Sequence, residues 1–145
     1  MRILVSACLL GQKCKYNGGD NYSEAVARFI RGHEVISVCP ELAGGLSVPR
    51  SPCEIVGGVV MNADGENVDQ AFRSGAAACL VLAEEQQIDL AVLQSRSPSC
   101  GVNRIYDGTF SGNLIEGSGV FASLLRENGF RVLDAEELEG DIQSC

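Results

Sequence analysis

Three kinds of reactive side chain meet within twelve residues of this sequence. Cys39, Glu41 and Arg50 lie in Val-Cys-Pro-Glu-Leu-Ala-Gly-Gly-Leu-Ser-Val-Pro-Arg, residues 38–50. A thiol can ligate metal or attack, a carboxylate can move a proton, and a guanidinium can hold an anion. Pro40 lacks an N–H and biases Cys39 toward an extended shape, so the stretch reads as a loop just past a strand. Gly44 and Gly45 permit a tight turn or close approach to a ligand, and Pro49 stiffens the chain before Arg50. Read alone, the stretch is more simply a buried Cys, a surface Glu and a glycine turn.

Two further cysteines repeat this layout. Cys8 closes the apolar run 2–7, and Cys100 follows the apolar run 89–94 through Ser95-Arg96-Ser97-Pro98-Ser99. If the three strands are parallel neighbours, spaced about 5 Å apart, all three thiols reach one sheet edge. There they could share a centre. Three thiolates fall short of the four ligands of structural zinc or of a closed electron-transfer cluster. A cubane held by three cysteines keeps one iron open as a Lewis acid. Glu41 would then serve as a general base or acid. Ser97 and Ser99 could hydrogen-bond a small polar ring, and Arg50 could hold an anion. The serines equally suit turns beside proline, and Arg50 a solvated surface. The only histidine, His33, has no sequence link to a cysteine, which weakens a thiol-nucleophile reading.

The elements that must position these groups alternate along the chain. After the first strand comes a loop with the turn signal Asn17-Gly18, then a helix opened by Ser23 and stopped near Gly32. The second strand spans 34–38. A β-hairpin follows over 53–66, with Gly57-Gly58 as its turn. Asn67 and Gln70 suggest a capping box for a long helix to about residue 86, apolar around most of its circumference and so expected to be largely buried. A strand over 89–94, an irregular segment over 102–118, a helix capped by Ser118 and ended by Asn128-Gly129, and a strand over 130–133 complete the pattern. The tail 134–145 is acidic and expected to be frayed or loosely helical. This order predicts one three-layer, Rossmann-like α/β domain over 1–145, with a mainly parallel sheet and an inserted hairpin.

Composition narrows the partners. With 145 residues and a net charge of −8, no basic block exists to grip nucleic acid. No run reaches transmembrane length and the N-terminus lacks signal-peptide architecture, so a cytoplasmic protein is expected. Seven cysteines, an odd number without any Cys-x-x-Cys, argue against a disulfide framework and against zinc-ribbon or ferredoxin spacing. Cys14, Cys53, Cys79 and Cys145 fit the shared edge less well.

At these residues the sequence resembles the TudS-like thiouracil desulfidases. The resemblance is carried by Ser6-Ala7-Cys8-Leu9-Leu10-Gly11, Lys15-Tyr16-Asn17-Gly18, Cys39-Pro40-Glu41 with Gly44-Gly45-Leu46 and Pro49-Arg50, and Ser97-Pro98-Ser99-Cys100-Gly101 followed by Asp107-Gly108. It implies a 4Fe–4S cluster on Cys8, Cys39 and Cys100, a catalytic Glu41, and a Ser97 that touches substrate. It further implies desulfidation of thiolated uracil or 4-thio-uridine monophosphate by water, releasing hydrosulfide without net redox change. Relatives acting on tRNA carry an extra domain that this sequence lacks, so a small molecule is the expected partner. Cys53, fourteen residues after Cys39, departs from the family pattern. As a fourth ligand it would close the open iron, and Cys14 raises a weaker form of the same question. Two other classes use the cysteines without Glu41: a metal- or persulfide-binding carrier of sulfur or iron, and a thiol redox sensor.

Overall fold

Four short apolar runs pair side by side in a computed structural model that describes residues 1–143, with side chains through residue 139. Strands β1 (Arg2–Ser6), β2 (Glu34–Val38), β5 (Leu90–Leu93) and β8 (Val132–Asp134) form one parallel sheet in the order β2-β1-β5-β8. Because side chains alternate along a strand, the sheet has two buried faces. Ile3, Val5, Leu90 and Val92 turn toward α1 (Glu24–Phe29) and α5 (Ala135–Gln143). Leu4, Ala91 and Leu93 turn toward α3 (Asp69–Glu85) and α4 (Val120–Glu127). The predicted three-layer α/β architecture is thus the observed one.

The topology explains where a site can form. The crossover from β1 to β2 runs over the α1 face, whereas the chain reaches β5 through α3 on the other face. A cleft opens at the carboxyl ends of strands where crossovers part in this way. Ser6 of β1 pairs with Val38 of β2, so the chain leaves both strands side by side, at Ala7 and at Cys39.

The predicted hairpin is present as β3 (Cys53–Val56) and β4 (Val59–Asn62), turning through Gly57 and Gly58 at positive φ. Ser23 caps α1 as predicted, its hydroxyl accepting from the Val26 N–H at 3.2 Å. Among the described residues, no helix is long and apolar enough to cross a membrane.

Several expectations are corrected. Residues 40–43 are not irregular: Pro40–Ala43 form a one-turn helix, α2, with proline at the helix start, where its missing N–H costs nothing. The Asn67–Gln70 capping box does not form. Instead Asn67 Oδ1 accepts from the Asp69 N–H at 2.9 Å, and Asp69 Oδ1 accepts from the Val60 N–H at 3.0 Å, tying α3 to the hairpin. Helix α3 is one-sided rather than largely buried. Phe72, Ala76, Cys79 and Ala83 face the core while Val81 stays 51% exposed. Residues 102–118 contain a small antiparallel pair, β6 (Arg104–Tyr106) and β7 (Leu114–Glu116). Ser118 does not cap α4. Its hydroxyl donates to Val102 O at 2.8 Å, and the first N–H groups of α4 go to the carbonyls of Pro98 and Ser99. The tail is a helix through Gln143, and Cys145 lies outside the described residues.

Candidate active site

Cys8 lies in a single 3-10 turn, Ala7–Leu10, directly after β1, and Cys39 is the N-cap of α2 directly after β2. Cys100 ends the loop that follows β5. All three thiols line one cavity of about 450 Å³, within the usual size for a small-molecule site. Burial pushes the Cys100 thiol well above its ordinary value. A hydrogen bond from Ser6 opposes this, and nearby Glu41, Cys8 and Cys39 add to it. Cys8 is raised chiefly by burial, against a hydrogen bond with Asn21 and with added pressure from Cys39 and Glu41. Cys8 and Cys100 thus resist ionising, and a bound cationic centre is what would hold them as thiolates.

Glu41 and Ser97 line the same cavity and meet there. Ser97 Oγ accepts from the N–H groups of Ser99 and Cys100 at 3.0 and 3.1 Å and donates to Glu41 Oε1 at 3.5 Å. With both lone pairs engaged by backbone, that hydroxyl has only its proton to offer. Arg50 pairs with Glu41 Oε2.

Glu41 is aimed by close backbone packing. A Cβ on Gly75 of α3 would stand 1.8 Å from Pro40 O, and one on Gly44 would stand 2.0 Å from Ala71 O. Only two glycines facing each other let α2 sit this closely on α3. Gly44 therefore serves packing, and Gly45, with φ +91°, ends the short helix. Neither is on the cavity wall.

Of the predicted site residues, the structure brings together Cys8, Cys39, Cys100, Glu41, Arg50 and Ser97. It leaves Gly44 and Gly45 at the carboxyl end of α2, off the cavity wall, and it buries Ser99 completely, with no hydrogen-bond partner for its hydroxyl among the described residues. Cys14 and Cys53 also line the cavity. Burial pushes Cys14 up to about 12 with help from Cys39, and pushes Cys53 up to about 11. Cys53 Sγ donates to Ser51 O at 3.5 Å. Cys79 packs in the core under α3, as expected of a small apolar residue. His33 stands at the opposite edge of the sheet, its Nδ1 3.0 Å from the N-terminal amine.

Sequence reasoning missed several wall residues. Ser6, Asn21 and Glu54 are among them. Glu54 is buried and accepts from the N–H groups of Gly108 and Phe110 at 2.9 and 3.1 Å, which pins the 107–110 loop beside the site. No local signal marks such a long-range contact. For Ser6 a signal did exist, in the polar residue that ends an otherwise apolar strand.

Among the described residues, no three His, Cys, Asp or Glu side chains are grouped as ligands of one metal ion. Soft thiol donors spread around a cavity suit a multi-atom iron–sulfur unit, in which each thiolate meets a different iron.

The family model for 2-thiouracil desulfurase matches residues 3–137. The chain belongs to that family. It is 43% identical over 146 residues to the uncharacterized protein YbbK of Bacillus subtilis (strain 168), covering 94% of this chain and 97% of that protein. Its fold is similar to a solved [4Fe-4S]-dependent thiouracil desulfidase, TudS, with a TM-score of 0.88 and 38% identity over 99% of both chains.

Proposed function

We propose that this chain is a [4Fe–4S]-dependent desulfidase that converts thiolated pyrimidines to uracil or its monophosphate and hydrogen sulfide. The observation that carries the reading is the meeting of three strand-end thiols with the Glu41–Ser97 pair in one cavity. Cys8, Cys39 and Cys100 would hold the cluster, leaving one iron without a protein ligand. When bound, the cluster supplies a Lewis acid for the thiocarbonyl sulfur. The solved relative carries this cofactor in its name, and the donor set of this chain fits it.

The chain's own groups supply the rest. Glu41 Oε1 takes a proton from water, whose oxygen attacks the thiocarbonyl carbon. The new C–O bond replaces the C–S bond, and sulfur leaves as hydrosulfide after the proton is returned. No electron is gained or lost. With substrate in place, Ser97 redirects its proton from Glu41 Oε1 to an acceptor on the ring, since its lone pairs are occupied by backbone N–H groups.

The substrate candidates are 2-thiouracil, 4-thiouracil and 4-thio-UMP. Lys15 favours the nucleotide. Of the cavity cations, Arg50 is paired with Glu41 and Arg96 with Glu136, whereas Lys15 has no carboxylate partner among the described residues. It stands 5.9 Å from the Tyr16 ring centroid, ready for one phosphate. An adjoining polar recess lined by Asp20, Glu136 and Glu139 disfavours a polyanion such as tRNA. We read residues 1–145 as one such catalytic unit in the cytoplasm.

The test begins with anaerobic reconstitution. About four irons and four sulfides per chain are expected, lost in Cys8→Ala, Cys39→Ala or Cys100→Ala and kept in Cys53→Ala. Glu41→Gln should retain the cluster and lose turnover by about 10²–10⁴-fold. A fully active Glu41→Gln would refute the base and favour a carrier of sulfur or iron.

A further inference from the structure

A guanidinium in a substrate cavity invites the reading of an anion site, yet the bonds made by Arg50 leave it little to offer a ligand. Its side chain is 8% exposed. Nη1 donates to Ser47 O at 3.2 Å, and Nη2 donates to Cys14 O at 3.0 Å and to Glu41 Oε2. Its backbone N–H donates to Tyr16 O at 2.7 Å. One residue thus joins three separate pieces of the wall: the 14–16 loop, helix α2 through Glu41, and its own 47–50 loop.

We infer that Arg50 is a positioning residue that fixes the Glu41 carboxylate, with Oε2 held and Oε1 turned toward Ser97, rather than a binding site for the substrate's anion. This rests on the desulfidase reading and deepens it. The division of labour follows from donor geometry. A planar guanidinium can meet a carboxylate and two carbonyls at once, while a Lys ammonium keeps the charge on a single point. Charge alone therefore does not replace Arg50. Glu41 sits on a helix of four residues, so its carboxylate has few other restraints. Arg50 also braces the loop bearing Lys15 and Tyr16, so the mouth of the cavity and its base are set by the same side chain.

Free 4-thiouracil and 4-thio-UMP separate the two roles, because the free base carries no phosphate. Positioning predicts that Arg50→Lys, with full iron content, loses kcat on 4-thiouracil by about 10²-fold, the order expected of a 1 Å misplacement. KM should stay within about twofold, because base binding is untouched. In Arg50→Ala, added methylguanidine should restore part of kcat, while adding it to Glu41→Gln should restore none. An anion site predicts the reverse: unchanged kcat on 4-thiouracil, and a raised KM confined to 4-thio-UMP. That result would overturn the inference, and so would a kcat on 4-thiouracil within twofold of wild type. If Arg50→Ala does not fold, Arg50→Lys decides. A crystal structure of Arg50→Lys reads the same placement without turnover. The Glu41 carboxylate should leave Ser97, and finding it still beside Ser97 would overturn the inference even in a protein that desulfurises nothing. Failure of the wild-type enzyme on every thiolated pyrimidine would instead remove the function reading.

Discussion

Two arms of the chain deliver chemistry to one cavity, and they are held in different ways. The arm at residues 39–50 brings Cys39 and Glu41, and the arm at 95–101 brings Ser97 and Cys100. The first is seated by sterics, with α2 against α3 through Gly44 and Gly75, and its carboxylate is tied by an ion pair to Arg50 and a long hydrogen bond from Ser97. The second is laced by backbone. The Gly101 N–H donates to Ser97 O, and the Pro98 and Ser99 carbonyls accept from Val120, Phe121 and Ala122 at 2.8–3.1 Å. These are the N–H groups that the first turn of any helix leaves unpaired, so the loop and α4 complete each other. The contrast teaches where each arm is fragile. The first depends on particular side chains and on the absence of others. The second depends on main-chain bonds that most substitutions leave intact.

The comparison breaks most sharply at Gly75. An added methyl group would collide with the Pro40 carbonyl, a backbone atom with no rotamer to move. Gly75→Ala should therefore push α2 away and carry Cys39 and Glu41 with it. Overpacking costs about 1–3 kcal/mol, against a helix-propensity gain of about 1 kcal/mol. The expected net is a loss of up to about 2 kcal/mol in urea unfolding, with turnover down at least about 10²-fold. Unchanged turnover would show that the first arm does not need its seat. The second arm offers a milder break in Ser97→Ala. It removes the hydroxyl between Glu41 and two N–H groups, but the carbonyl bonds to α4 remain. The fold should persist with a cost of about 1–2 kcal/mol from the freed N–H groups. We expect kcat down about 10²-fold, as for loss of one positioned hydrogen-bond donor, and cluster content unchanged. Loss of the cluster would mean that the serine holds Cys100 rather than serving the substrate.

The difference between the arms also explains what was legible in the sequence. Each strand announces itself as an apolar run, and each of Cys8, Cys39 and Cys100 follows one, so a shared edge follows from parallel pairing. What the sequence conceals depends on partners far away in the chain. Pro40–Ala43 is too short to show helical periodicity. Gly75 reads as an indifferent residue in an Ala-rich helix until Pro40 is placed beside it. Gly44, beside Gly45, looks like a ligand-approach glycine when its neighbour is in fact another helix. Arg50 has the chemistry of an anion site, and only the fold supplies Glu41 and two carbonyls to engage it. The strands β6 and β7, three residues each, lie in a Gly-rich stretch whose turn residues outnumber its apolar ones.

Two narrower predictions sharpen the comparison at its margins. Lys15→Ala removes the cavity cation that has no carboxylate partner among the described residues. It should raise KM for 4-thio-UMP by about 10–150-fold, the scale of one charge-assisted hydrogen bond, and leave KM for 4-thiouracil unchanged. Equal effects on both substrates would place the phosphate elsewhere. Ser99→Ala is the smallest and separates the two serines of the second arm. Both flank Pro98, and residue type alone does not tell their roles apart. Yet Ser97 is on the cavity wall with its hydroxyl bonded three ways, while Ser99 is fully buried with its hydroxyl unpartnered. Its structural duty is performed by its backbone carbonyl, which alanine keeps. Deleting an unsatisfied buried hydroxyl removes its desolvation cost, so stability should hold or rise by up to about 1 kcal/mol. Turnover should stay within about twofold. A large loss of activity in Ser99→Ala would show that its hydroxyl acts at the site despite its burial, and donation to the substrate ring would then have to be shared between the two serines rather than rest on Ser97.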